Sequence, residues 1–294
     1  MIDYRHETFL TLAKIKNYTK TAERLHMSQP AVTQHIQYLE NEYQTKLFNY
    51  EGKVLTLTKQ GVILQQFLLS LRADSEQIRM MIKQTSHQPL PLNFGVTLSI
   101  GEFIMPPILT NILKEFPNQP ISMSMDNTET LLRKLNDGEI DFAIIEGFFD
   151  KHSFTTDYLC TSSFIPVCSP ASPYSKGKIS IDDLVHARLI LREKGSGTRE
   201  FLEQALHKHN LSIHSFPKIC EIAHMKIIKE LVSENLGITF LYDCTVKNEI
   251  KKHTLCKINL IDYNEEHDFT FVYLNNRILT HNILPWIELI KSLV

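Results

Sequence analysis

Val32, Ile36 and Leu39 recur at intervals of four and three residues, the spacing of one buried helical stripe. Ser28 precedes them as an N-cap residue whose hydroxyl can accept a first-turn N–H. Pro30 falls in that first turn, where its missing N–H has no intrahelical partner. A proline inside "SQPAVTQHIQYLE" therefore starts a helix. Upstream, Thr19 is expected to cap a short helix that turns Ala22 and Leu25 inward, and "LHMS" supplies a tight turn between the two. Phe9, Leu12 and Ala13, on a helix predicted from about Tyr4 to Ile15, form a third wall. After a turn at Glu51-Gly52, the alternation over Val54, Leu55, Thr56 and Leu57 predicts a two-stranded wing. Thr58 to about Gln84 reads as one long helix. On it Leu64, Leu68, Leu71, Ser75, Ile78 and Ile82 follow at intervals of 4, 3, 4, 3 and 4, the repeat of a helix that pairs with another helix.

Pro89 and Pro91 end that helix and place a boundary near residue 88. Beyond it short apolar runs are expected as strands: Leu92 to Val96, Ile121 to Met125, Ile140 to Ile145, Phe164 to Cys168, Leu189 to Leu191, Ile219 to Ile222, Ile238 to Tyr242 and Phe269 to Leu274. They alternate with helices such as Thr128–Asn136 and Thr198–His209, a pattern that predicts an α/β domain. There is no internal repeat and no low-complexity tract.

A chain of 294 residues exceeds the size at which one core usually stops growing, so two or three domains are expected. With 43% apolar and 22% charged residues the composition is that of an ordinary globular protein, not a disordered one. The start, "MIDYRHETFL", carries charges where a signal peptide needs an apolar core. No run reaches the ~18 apolar residues of a membrane span. A cytoplasmic location is expected, with no membrane partner. Five widely spaced cysteines without a Cys-x-x-Cys pair suit reduced thiols. Net charge is −2; eight Lys and Arg against six Asp and Glu through residue 60 give that segment +2 and leave −4 for the rest. The asymmetry is mild, and a basic face on a small domain is most often solvated surface.

Opposite the apolar stripe of the second helix lie Gln29, Thr33, Gln34 and Gln37, uncharged amides and a hydroxyl at an exposed N-terminal end. Glutamine can pair with both N6 and N7 of adenine, and threonine offers a hydroxyl and a methyl that suits thymine. The first turns of such a helix enter the major groove in helix-turn-helix proteins. A solvated polar face is the bland alternative. The wing tips the balance, with Lys53 placed to meet a phosphate or the minor groove. "AERLHMSQPAVTQHIQYLE" followed by "LFNYEGKVLTLTKQG" resembles the N-terminal domain of LysR-type transcriptional regulators. Tyr50 departs from that family, which usually carries arginine there, and removes one expected phosphate contact.

The resemblance continues in layout to the C-terminus and implies an α/β protein overall. An all-α winged helix-turn-helix (1–58) leads through a linker and dimerisation helix (59–88) into an effector-binding domain (89–294). That domain is implied to have two subdomains like those of periplasmic solute-binding proteins, 89–162 with 267–294, and 163–266. The linker helix makes the dimer in the family, which assigns Leu64, Leu68, Leu71, Ile78 and Ile82 to dimerisation. Implied partners are double-stranded operator DNA, read through Thr19, Ser28, Gln29, Pro30, Thr33, Gln34, Gln37 and Lys53, a second copy or a dimer of dimers, a small-molecule effector and, further, RNA polymerase.

The turn "KGSGTRE" runs into a helix, so first-turn amides, two hydroxyls and a guanidinium converge on a positive helix end that suits an anion. An ordinary capped connection explains the same residues, though in the family a "GSGTR"-like turn commonly lines the effector cleft. Resemblance then assigns Thr97, Ser99, Thr128, Glu146, Gly147, Ser196, Gly197, Thr198, Arg199 and His224 to that cleft, with a sulfate-, phosphate- or carboxylate-bearing metabolite as the expected effector and no cofactor. Asn235 stands at a usual glycine, but asparagine tolerates the left-handed conformation a helix end needs.

Enzyme readings fail on the residues. "EKGSGTRE" lacks the Gly-Lys-Ser/Thr of a phosphate loop, and Glu200 sits where a dinucleotide fingerprint needs its third glycine. "HKH" at 207–209 splays its imidazoles on a helix, so no metal site is expected. Two alternatives stay open. One is a thiol-based redox sensor through Cys160 and Cys168, although the family's peroxide sensors carry their reactive pair near "REKGSGTRE", where this chain has none. The other is a solute-binding protein without DNA binding, against which the intact Gln29, Pro30, Thr33 and Gln34 argue.

Overall fold

The computed structural model describes residues 3–51, 54–83, 91–275 and 281–294. Lys53 and the boundary near residue 88 lie outside the described residues.

Three helices open the chain: α1 (Tyr4–Ile15), α2 (Tyr18–Leu25) and α3 (Gln29–Glu42). Ser28 caps α3 by accepting from the Ala31 N–H at 3.3 Å, and Pro30 occupies its first turn. The cap of α2 is Asn17, which accepts from the Lys20 N–H at 2.9 Å, and not Thr19, which lies exposed inside the first turn. Asparagine at that position begins the helix two residues earlier. The wing is β1 (Phe48–Glu51) paired antiparallel with β2 (Val54–Leu57). Phe9, Leu12, Ile36, Leu39, Leu47 and Leu55 close the core of this unit.

Helix α4 (Lys59–Lys83) is the linker. Its first turn is pressed so close to the wing that a Cβ on Gly61 would lie 2.2 Å from the Leu47 carbonyl oxygen. Leu68 is 2% exposed and belongs to the helix-turn-helix core, with Leu64 packed against that core. This corrects the placement of Leu68 on an open seam. Bulky apolar residues left open among the described side chains include Val62, Ile63, Phe67, Ile78 and Ile82, with Leu71 half-buried beside them.

The remainder is built mainly on one curled seven-stranded sheet. Strand β3 (Leu92–Val96) is followed by α5 (Leu98–Phe103), α6 (Met105–Glu115), β4 (Ile121–Met125), α7 (Thr128–Asp137) and β5 (Phe142–Ile145). Parallel β4 and β5 flank β3 on opposite sides, so the three carboxyl ends open at a topological switch point, where α/β sheets bind ligands. The long strand β6 (Phe154–Cys168) carries the chain into the second lobe: β7 (Arg188–Leu191), α8 (Gly197–Lys208), β8 (Lys218–Glu221), α9 (Met225–Ser233), β9 (Thr239–Tyr242), α10 (Asp243–Lys251) and β10 (Cys256–Lys257). Strand β11 (Glu265–Leu274) returns antiparallel along β6 to pair with β5, and α11 (Leu284–Ser292) ends the chain. Sheet order is β10-β6-β11-β5-β3-β4, with β9 also on β6, while β7 and β8 pair parallel in a two-stranded sheet of their own. Phe94, Phe142, Phe164, Phe240, Phe269 and Phe271 fill the core on either side of the crossing strands. Asn235 takes φ +58° after α9, as its tolerance for that conformation predicts.

Candidate functional site

The first site is a surface. Gln29, Pro30, Gln34 and Gln37 are exposed on α3, and Thr33 beside them is half-buried. Thr33 Oγ1 donates to the Gln29 carbonyl at 3.1 Å and accepts from Gln29 Nε2 at 3.3 Å. The amide is thus tethered through Nε2 at the head of the helix. Val32, Ile36 and Leu39 anchor the opposite face in the core, which fixes how these side chains project.

The second site lies where strand ends meet. Thr97 follows β3, Asn127 and Thr128 follow β4, and Glu146 and Gly147 follow β5. Thr97 Oγ1 bonds the Glu146 carboxylate, and Glu146 is buried. From the other lobe the turn into α8 closes on the same spot. Ser99 Oγ lies 3.3 Å from Thr198 Oγ1 across the cleft. A Cβ on Gly197 would lie 3.1 Å from the Gly147 Cα, and one on Gly195 3.7 Å from Asn127 Nδ2. Gly147 itself has no room for a methyl, since a Cβ would lie 2.1 Å from Thr128 Oγ1. Thr97, Ser99, Thr128, Glu146, Gly147, Ser196, Gly197 and Thr198 thus gather in one place, with Ser196 buried and its hydroxyl not used as a cap. The N-terminal ends of α7 and α8 both lie at it; Asn127 Oδ1 caps α7 by accepting from the Thr130 N–H, whereas α8 has no side-chain cap.

Two expected members stand apart. Arg199 is buried, but its guanidinium is spent on Glu203 at 2.8 Å, Glu221 at 2.5 Å and the Arg192 carbonyl at 3.2 Å. It therefore braces α8 against β8, with three of its five N–H donors taken up by those acceptors. His224 is exposed at the head of α9 and makes no hydrogen bond to the cluster among the described residues.

Other residues join the site that local sequence does not single out. Tyr242 ends β9 fully buried with its hydroxyl unpartnered, and Thr128 Oγ1 is buried and unpartnered as well. His267 Nε2 lies 2.6 Å from the Glu146 carbonyl oxygen, and its ring packs 4.4 Å from that of Phe201. Burial holds the His267 pKa below its ordinary value, so the neutral ring donates Nε2–H to that carbonyl. Burial pushes the Glu146 carboxyl up, against hydrogen bonds from Thr97 and Ser99 and the charge of Arg192. Tyr242 is raised by burial and then by Glu146. No periodicity marks a strand-end tyrosine or a histidine on a crossing strand as a neighbour of Glu146, because the contacts span 96 and 121 positions.

The cysteines do not form the pair first considered. Cys160 and Cys168 sit eight residues apart on β6, about 26 Å along an extended strand, and cannot bond within one chain. Cys168 instead faces Cys256 across β6 and β10, Sγ to Sγ 3.5 Å. Burial raises the thiol of Cys160, pushes that of Cys244 up to about 11 and that of Cys168, also raised by Cys256, up to about 12. These thiols are far from the thiolate character a redox sensor needs.

A winged helix-turn-helix carried by a long helix on a two-lobed α/β ligand domain defines a DNA-binding transcriptional regulator with an effector-binding domain. The chain belongs to the LysR family of such regulators. Residues 5–62 match the family described as "Bacterial regulatory helix-turn-helix protein, lysR family", and residues 87–294 match "LysR substrate binding domain". Among its relatives are the HTH-type transcriptional regulator CysL of Bacillus subtilis, 29% identical over 97% of this chain and 95% of that protein. A probable RuBisCO transcriptional regulator of Thalassiosira pseudonana is 27% identical over 84% of this chain and 83% of that one. The fold is shared with a Corynebacterium glutamicum OxyR C206 mutant (TM-score 0.62, 20% identity, 99% of this chain and 90% of that one). It is shared equally with the Synechocystis CcmR regulatory domain in complex with 2-PG (TM-score 0.62, 20% identity, 69% of this chain and 96% of that one). No helix among the described residues is long and apolar enough to cross a membrane.

Proposed function

We propose that this regulator reads its operator with Gln29, Thr33, Gln34 and Gln37 of α3, works as a dimer through the open face of α4, and responds to a small anionic metabolite in the cleft between its lobes. The convergence of the α7 and α8 N-termini with Ser99, Thr128, Ser196 and Thr198 carries the reading. It supplies amide and hydroxyl donors from both lobes, so a ligand that accepts from both would hold the lobes together. The CcmR regulatory domain in complex with 2-PG and the QuiR effector binding domain in complex with shikimate support a small molecule as the ligand of this domain. RNA polymerase as a partner and a cytoplasmic location complete the proposal, and no chemistry is assigned to the cleft beyond binding.

Two measurements test it. Gln34→Ala should cost about 1–3 kcal/mol on the specific operator and much less on random DNA in a mobility-shift titration; an unchanged specific-to-random ratio would rule out α3 as the reader. Charged hydrogen bonds are worth roughly 1.5–3 kcal/mol each. Ser196→Ala combined with Thr198→Ala should accordingly weaken anion binding at least about tenfold and leave effector-free DNA binding intact. Equal calorimetric heats in native and doubly substituted protein would remove the turn from the site.

A further inference from the structure

Glu146 is an unexpected wall for an anion. Around it the cleft offers neutral donors, and a carboxylate adds negative charge where the ligand would bring more. The groups around it come from every element packed there: Thr97 and Ser99 at the head of α5, Arg192 after β7, Tyr242 at the end of β9 and His267 on β11, with Thr128 at the head of α7 against the next residue, Gly147. Of these only Arg192 is a fixed cation, and it is already clamped by Glu193, Nε and Nη2 each 2.8 Å from the carboxylate oxygens. His267 binds the Glu146 carbonyl and not its carboxyl. The Glu146 residue is 3% exposed, so water does not screen its charge. Two buried hydroxyls in the cleft, those of Tyr242 and of Thr128 against Gly147, lack partners, which marks a place prepared for a ligand with acceptor oxygens.

We propose, resting on the anion-cleft reading above, that Glu146 is protonated in the effector complex and donates its O–H to a compact oxyanion, so that each anion bound takes up one proton. A neutral carboxyl supplies one donor and completes a shell of donors that carries no charge. Compactness follows from the lobes themselves, which touch at Ser99 and Thr198 and approach closely at Gly147 and Gly197. The raised pKa of Glu146 in the free protein fits, because burial has already moved the group toward its proton-bound form. The sign of the linkage is fixed. Above the pKa of the free carboxyl, affinity falls as pH rises, by as much as tenfold per pH unit, until the pKa of the complex is passed.

The test is calorimetry of the full chain with sulfate, phosphate, sulfite and acetate between pH 6 and 8.5, in two buffers of different ionisation enthalpy. Expected is uptake of close to one proton beyond the ligand's own titration. Glu146→Gln, neutral at every pH and isosteric, should abolish that extra proton and bind at pH 8.5 more tightly than the native chain. Binding without extra proton uptake, or extra uptake that persists in Glu146→Gln, overturns the role of Glu146 and leaves the anion cleft standing. No binding of any of the four anions removes the cleft reading and this inference with it. The native proton count decides the question even if the variant does not fold.

Discussion

Glu146 links stability to pH through the same burial that shapes the cleft. An unfolded glutamate titrates near 4.3, and desolvation raises the folded value above it. Its contribution to stability is therefore fully present below the unfolded pKa and is lost as pH rises through the folded one. A tenfold change in a protonation equilibrium corresponds to about 1.4 kcal/mol. Without added anion, Glu146→Gln should raise the melting temperature at pH 8 more than at pH 5, by a few degrees for each such tenfold change that burial imposes on the carboxyl. An equal gain at both values would place the origin of the effect outside this carboxyl. Arg199 teaches the complementary lesson. A guanidinium at a helix start looks available to an anion, yet three acceptors within 3.2 Å, two of them carboxylates, hold it against Glu203 and Glu221.

At the scale of elements, α4 serves two partners on two faces. Leu64 and Leu68 turn toward the helix-turn-helix core, whereas Ile63, Phe67, Leu71, Ile78 and Ile82 form a neighbouring stripe with intervals of 4, 4, 7 and 4. The two faces predict different failures. Leu68→Ala should cost about 2–5 kcal/mol of stability by leaving a cavity. Phe67→Glu, with its side chain 57% exposed in one chain, should leave the fold intact and yield a monomer in light scattering, since a dimer would bury the new charge. A folded Phe67→Glu dimer would mean that another surface joins the protomers.

Across the whole molecule, α7 spans the distance from cleft to linker. Its head carries Thr128 in the ligand site, and its ten residues reach about 15 Å. At the far end Arg72 of α4 donates through Nη2 to the Asn136 carbonyl at 2.7 Å and to Asp137 at 2.8 Å, while Lys14 of α1 lies 3.7 Å from Asp137. Close backbone contact seals the joint, as a Cβ on Gly138 would lie 2.9 Å from the Ala73 Cα. A shift of α7 on ligand binding has a rigid route to the DNA-binding unit. Arg72→Ala should keep anion affinity within about threefold and shrink the effect of the anion on operator binding, a coupling typically worth about 1–3 kcal/mol. An undiminished response in operator titrations with and without anion would exclude this joint as the route.

What the sequence determined by itself is local. The Ser28-Pro30 start of α3, the left-handed Asn235, the strands Leu92–Val96 and Ile121–Met125, and the hydroxyl-rich turn at 195–198 all follow from periodicity and backbone preference within a few residues. The first half of β6 was not legible, because "FTTDYLCTSS" is half-exposed and lacks a clean apolar alternation. Tertiary structure alone decided which partner each face meets. A heptad pattern shows that Leu68 is buried but not whether a second chain or its own core buries it. Cys160 and Cys168, eight positions apart, look close along the chain, yet an extended strand holds them far apart and brings Cys256 to Cys168. Tyr242 and His267 reach Glu146 only because β6, β9 and β11 cross between the lobes. Local pattern fixes conformation because it acts through neighbouring dihedrals and side chains, whereas the cleft is made of contacts between distant residues that only the folded sheet can bring together.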